Sequence, residues 1–246
     1  MSDFKVDFAR HISSEFNDEL EGLCADLLKM GGLAERQIRL AMGCQEQFDS
    51  SLADQIQEAE NAVNAWELRI DELVATLIAR RQPAATDLRL VLSISKIVRD
   101  LERVGDEANK IAHMAQKAHE AEKVSSVGAN EVREIANQVL RMLGDSLTAF
   151  ARMDADMALG VARHDKEVDS IYQSALRSLA THMIEDPSEI SPVLNVMWVL
   201  RSFERVGDHA TNIAEHVIYL VKGTDVRHLS VANVEQTLKD SSKLVS

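Results

Sequence analysis

Two cysteines in 246 residues, Cys24 and Cys44, are too few for a disulfide framework, and both lie in one helix-patterned run. Nothing covalent is expected to staple the fold, and a reducing compartment suits the chain. Prolines number three and glycines ten, so long stretches run without a breaker. Aromatic residues make up 4%, which leaves the core to aliphatic side chains. No apolar run approaches the roughly 20 residues that span a bilayer. Met1 to Arg10 carries neither the apolar centre nor the small-residue cleavage pattern of a secretory signal. Cationic excess is missing too, with 27 Lys and Arg against 40 Asp and Glu and a formal charge of −13. That balance argues against nucleic acid and anionic membrane as partners, since both reward concentrated Lys and Arg. The expectation is a soluble cytoplasmic protein without direct membrane insertion.

What remains is helical in character: 46% hydrophobic letters, rich in Ala and Leu, enough for a sizeable core. Apolar residues recur at three and four from Ile12 through Phe16, Leu20, Leu23, Leu27 and Met30 to Leu33, Ile38 and Met42, one long amphipathic helix that Gly31-Gly32 could bend or bring close to another. Asp49-Ser50-Ser51 predicts the cap of a second helix that ends near Arg81 before Gln82-Pro83, and Thr86 or Asp87 the cap of a third that reaches about His119. The plan repeats from Glu131 to Ala151, from Asp154 to Ile184, and from Ser191-Pro192 to Gly223, a natural C-terminal glycine. The predicted fold is all-α, two similar three-helix bundles over residues 1–122 and 131–223, with a linker at 123–130 and a polar tail at 224–246 that is poorly ordered save for a turn or two of helix.

An internal duplication carries the functional signal. Glu102-Arg103-Val104-Gly105-Asp106 recurs letter for letter as Glu204-Arg205-Val206-Gly207-Asp208, and Ala108, Ile111 and Ala112 recur at the same offset as Ala210, Ile213 and Ala214. Upstream, Glu67-Leu68-Arg69-Ile70-Asp71 is echoed by Asp165-Lys166-Glu167-Val168-Asp169. Each of the four segments is acid-x-x-x-acid, which stacks two carboxylates on one helix face at a cost of a few tenths of a kcal/mol. The upstream and downstream pairs of the first half are equidistant from a point within Pro83–Asp87, and those of the second half from one within Asp186-Pro187. In an antiparallel hairpin, residues equidistant from the turn lie level.

Four carboxylates are thereby expected to converge in each bundle: Glu67, Asp71, Glu102 and Asp106 in one, Asp165, Asp169, Glu204 and Asp208 in the other. Such clusters need a cation or they protonate. Oxygen ligands suit Mg²⁺, Mn²⁺ or Ca²⁺, and bridging carboxylates also suit iron or a zinc cluster. Gly105 and Gly207, mid-helix glycines, suggest close approach of an ion or a helix. The competing readings are solvated acidic faces, or neutralisation by Arg103 and Arg205. Asn109, His113, Asn212 and Glu215 continue the stripe as further candidate ligands, whereas His209 and His216 point elsewhere and look ordinary.

With Arg81-Gln82-Pro83, Thr86-Asp87-Leu88-Arg89, the two ERVGD segments with their Ala-x-x-Ile-Ala extensions and the upstream acid pairs, the whole chain resembles the PhoU family, accessory proteins of phosphate-specific transport. Ser191, where the second half lacks the counterpart of Arg89, marks an imperfect symmetry. The resemblance implies two three-helix bundles, metal at the eight carboxylates named above, and a cytoplasmic homodimer. It also implies a negative regulator of the phosphate regulon, coupling a phosphate ABC transporter ATPase to a sensor histidine kinase. No nucleophile constellation or phosphate-cradling glycine loop argues for an enzyme. The alternative is a metal-dependent phosphohydrolase built on His164-Asp165, or a di-metal helical-bundle enzyme, although no acidic motif carries Glu-x-x-His.

Overall fold

The computed structural model describes residues 14–122, 125–227, 229 and 233–236, all helix or connecting turn with no strand among them. Helix α1 runs Ser14–Glu46, α2 Ser50–Arg81, α3 Ala85–Glu120, α4 Ala129–Arg152, α5 Ala155–Glu185 and α6 Ile190–Lys222. A short 3-10 turn over Pro187–Glu189 leads into α6. The fold is all-α, with α1–α3 and α4–α6 forming two similar bundles.

Local chemistry sets most boundaries. The Asp49 carboxylate accepts from the Ser51 backbone N–H at 2.8 Å, and Asp154 accepts from Asp156 and Met157 at 3.0 and 2.9 Å. Each cap satisfies donors that the helix itself leaves open, typically for about 1 kcal/mol. Gly223 closes α6 in the left-handed region, φ 72°. The start of α3 departs from expectation: its cap is Ala84, with no side-chain bond, so neither Thr86 nor Asp87 performs that role. Of the two roles open to Gly31-Gly32, a bend or a close crossing, the second is found within a continuous α1. A Cβ at Gly31 would lie 2.7 Å from Leu147 of α4, so the glycine serves a close crossing between bundles.

The bundles are joined by more than a linker. Helices α3 and α6 pack against each other as extensively as either packs against any single helix of its own bundle, and one continuous apolar core runs through both halves. Leu101, Val104 and Ala108 of α3 and Val206, Ala210 and Ile213 of α6 are all fully buried in it. Linker positions 123 and 124 fall outside the described residues. In the predicted tail, Val226 and Val234 are buried, residues 233–236 form a helical turn, and Glu235 pairs with Arg163 at 2.8 Å. That part of the tail therefore packs on the domain.

Candidate functional site

In the second bundle, α5 and α6 bring Asp165, Asp169, Glu204 and Asp208 into one electrostatic cluster. Burial, and then the Asp208, Asp169 and Asp165 charges, push the Glu204 carboxyl up to about 7 despite the opposing Arg201. Burial and the Asp169 and Asp208 charges push Asp165 up to about 6, against a lowering contribution from the Thr211 hydroxyl. Asp208 is raised as well, by desolvation first, with Asp169 adding to it. Arg201 donates to Glu204 Oε1, while Glu204 Oε2 is buried without a hydrogen-bond partner. The carboxylate thus has the Arg201 guanidinium on one oxygen and a buried, unpartnered acceptor on the other, which costs free energy.

The first bundle is assembled differently. The charges acting on Glu102, after desolvation, are Asp106, Glu67 and Glu60, opposed by Arg103; Asp71 is not among them. Glu60, which the sequence reading passed over, is buried, raised by desolvation and then by Asp106, and accepts from Gln37 Nε2 at 3.1 Å. The turn explains the change. With α2 ending at Arg81 and α3 starting at Ala85, the centre of the hairpin is Pro83 rather than a point near Asp87. Glu102 and Asp106 then lie level with Asn64 and Glu60, while Asp71 sits nearer the turn. Glu60/Asn64 precedes Glu67/Asp71 by seven residues, one heptad, which returns to nearly the same helix face. The signal was present in Glu60-x-x-Val63-Asn64 against Asp165-x-x-Val168-Asp169, with both valines buried.

The mid-helix glycines have a packing cause. A Cβ at Gly105 would lie 2.9 Å from Gln37 Oε1 and 3.3 Å from Glu60 Oε2, and one at Gly207 would lie 3.3 Å from Val139 of α4. Both make room for a neighbouring helix's side chain. The arginines divide unevenly too: Arg103 pairs with Asp106 at 3.2 Å and Glu102 at 3.5 Å, but Arg205 reaches across to Glu107 of α3 at 3.1 Å. Arg201 takes the neutralising part expected of Arg205.

Of the extra candidate ligands, His113 is exposed and Asn212 donates to Asp100 Oδ1 at 3.1 Å, away from the carboxylates. Asp100 also meets His209 Nδ1 at 2.9 Å and His216 Nε2 at 3.6 Å. The two histidines expected to be ordinary therefore meet one α3 carboxylate in the α3–α6 seam, a contact that no spacing within either half could reveal. Asn109 is half-buried, and Glu215 acts on Arg227. His164 faces Gln138 with Nε2 at 2.6 Å and Glu167 with Nδ1 at 3.8 Å.

Chemically, the second cluster is a set of hard oxygen donors with an uncompensated acceptor, which fits a hard cation. As the side chains stand, no three His, Cys, Asp or Glu among the described residues have the spacing to hold an ion.

The PhoU domain matches residues 27–115 and again 132–217, one match per bundle. The chain belongs to the PhoU domain family. It is 52% identical over 238 residues to the phosphate-specific transport system accessory protein PhoU homolog of Pseudomonas aeruginosa, covering 96% of this chain and 98% of that one. With the PhoU accessory protein of Escherichia coli K12 it shares 41% over 240 residues, 95% and 97% of the two chains. The crystal structure of PhoU from Pseudomonas aeruginosa superposes with a TM-score of 0.82 at 55% identity, covering 85% of this chain and all of that one. That of the Streptococcus pneumoniae phosphate transport system regulatory protein superposes at 0.77 and 27% identity, covering 86% and 99%. PhoU relatives carry the whole length of the fold, both bundles included.

Proposed function

We propose that the chain is a cytoplasmic regulatory adaptor of phosphate homeostasis. In this reading it is a negative regulator that couples a phosphate ABC transporter ATPase to a sensor histidine kinase, and it acts as a homodimer without turnover. The observation that carries this is near full-length similarity to accessory proteins of phosphate-specific transport. The site chemistry agrees with it. The strongly raised carboxyls of Glu204 and Asp165 have the Thr211 hydroxyl beside Asp165, but the neighbouring histidine, His164, faces Gln138 rather than that hydroxyl.

The carboxylates are proposed as metal sites: Asp165, Asp169, Glu204 and Asp208 in the second bundle, and Glu102, Asp106 and Glu67 with Glu60 in the first. Asp71, lying nearer the turn, has the weakest claim. Mg²⁺, Mn²⁺ or Ca²⁺ suit an all-oxygen set, with iron or zinc reachable where carboxylates bridge. A bound ion would supply positive charge that keeps the cluster ionised and ties α5 to α6. Deleting the gene tests the regulatory role. Phosphate-starvation genes should then be expressed when phosphate is abundant, and a deletion strain that still represses them, with no second copy present, rejects the reading.

A further inference from the structure

The carboxylates between α5 and α6 lie in layers, and the layer next to them holds a cation. Asp169 and Glu204 stand equidistant from the turn at Asp186-Pro187, as do Asp165 and Asp208, and so do Tyr172 and Arg201. Arg201, Glu204, Asp208 and Thr211 recur at three and four along one stripe of α6. Arg201 therefore closes the end of the cluster nearer the turn. Its Nη1 donates to Glu204 Oε1, while Glu204, 8% exposed, keeps its second oxygen buried without a partner. After burial, Arg201 is the strongest charge acting on Asp208. The same guanidinium also acts on the Tyr172 hydroxyl.

Arg201 fills this place because Arg205 is taken. Arg205 reaches across the seam to Glu107, a buried carboxylate. In the repeat, Glu107 corresponds to His209, so Arg103 finds no acid at the matching place. Arg103 accordingly stays on Asp106 and Glu102, and Arg99, the counterpart of Arg201, is exposed.

The geometry points to Arg201 as a resident counter-cation of the second cluster, one that a divalent ion displaces on binding. This is a regulation of the metal site proposed above and rests on that reading. A guanidinium and a metal ion at one carboxylate repel each other, the more so where water is largely excluded. Of the two, the guanidinium can leave. The Arg201 side chain is 47% exposed on a long flexible stem whose head reaches water, whereas Glu204 is held in the packed face of α6. The second cluster then fills only above the ion concentration at which metal outcompetes the arginine. The released charge stands on the exposed face of α6, about one turn from the exposed Trp198. Loading of a buried cluster is thereby written onto a surface that a partner can read.

Titration of the full chain with Mn²⁺ measures the competition. Arg201→Gln should tighten binding of one equivalent of ion about tenfold or more, the lower end of what a neighbouring charge does to a carboxylate's own ionisation. Lys166→Gln removes an equal charge from an exposed residue beside Asp165 and should change the affinity less than about twofold. Labelling of arginines by phenylglyoxal, read peptide by peptide, should modify Arg201 faster once Mn²⁺ is added, and Arg177, an exposed control on α5, at an unchanged rate. Binding that is unchanged or weaker in Arg201→Gln, or an Arg201 labelling rate that metal leaves unmoved, overturns the exchange and leaves the metal reading standing. Absence of Mn²⁺ binding in both the parent and Arg201→Gln defeats the metal reading and the exchange with it. Should Arg201→Gln lose its helical circular dichroism, the labelling of the parent alone decides.

Discussion

Gly105 and Gly207 occupy the same letter of a repeated pentapeptide and face different neighbours. Alanine gains up to about 1 kcal/mol of helix propensity over glycine, so the sign of each substitution depends on what its methyl meets. At Gly105 it meets the fully buried Gln37 amide at 2.9 Å, hydrogen-bonded to buried Glu60. Displacing that pair is overpacking of a polar contact, with a cost of about 1–3 kcal/mol. At Gly207 the methyl meets a Val139 methyl at 3.3 Å, a milder overlap, and Met142 at 3.8 Å, whose flexible side chain can yield. Denaturant unfolding should therefore show Gly105→Ala clearly destabilised and Gly207→Ala within about 1 kcal/mol of the parent. Equal effects would mean that the Gln37–Glu60 contact does not govern the first site. The raised carboxyls at Glu204 and Asp165, about 7 and about 6, make a separate statement at this scale. An acid raised in the folded state binds its proton where the unfolded chain has already lost it. Metal-free stability is then full below about pH 4 as far as these groups are concerned, and falls as pH rises through about 6 to 7. In metal-free buffer the melting temperature should drop between pH 5 and pH 8, and Glu204→Gln should flatten part of that drop. Rising stability across the window would contradict the raised assignments.

At the scale of helices, the three-and-four periodicity gave all six helices to within a few residues, because burial of one face decides helix existence. The cap at Asp49 was legible from its side chain, while Asp154, read only as the start of α5, proves to be its cap. What periodicity could not fix was the register between helices. A heptad slip leaves the apolar face of α2 in place, so Glu67/Asp71 and Glu60/Asn64 fit one pattern equally well. Only the position of the turn, Gln82–Ala84, decides between them. The 3-10 turn at Pro187–Glu189 sits close to the predicted centre of the second hairpin, and there Asp165, Asp169 and Asp208 all act electrostatically on Glu204. This yields a measurable distinction. If divalent metal raises the melting temperature by binding the native state, Glu60→Gln together with Glu102→Gln should remove the first bundle's share of the shift, whereas Asp71→Asn should leave most of it. A shift abolished by Asp71→Asn and retained without Glu60 would restore the original register.

For the molecule as a whole, the duplication suggests two units that could stand alone, whereas the packing of α3 on α6 makes them one. The fully buried Leu101, Val104 and Ala108 of the first half lie in a core continuous with Val206, Ala210 and Ile213 of the second. The polar side of the same seam is held by Asp100 with His209 and His216, and by Glu107 with Arg205. None of this could be read from either half, since each contact joins residues about a hundred positions apart. Separating the bundles would expose apolar surface on two long helices and break the contacts of buried Glu107 with Arg205 and of Asp100 with the two histidines. The two halves should therefore unfold together. Calorimetry should show a single transition whose van't Hoff and calorimetric enthalpies agree. Asp100→Ala leaves His216 buried without its carboxylate, and should lower that one transition by about 1–3 kcal/mol while keeping it single. Two resolved transitions in the parent protein would show that each bundle is stable without the seam, and that the continuous core contributes little to holding the halves together.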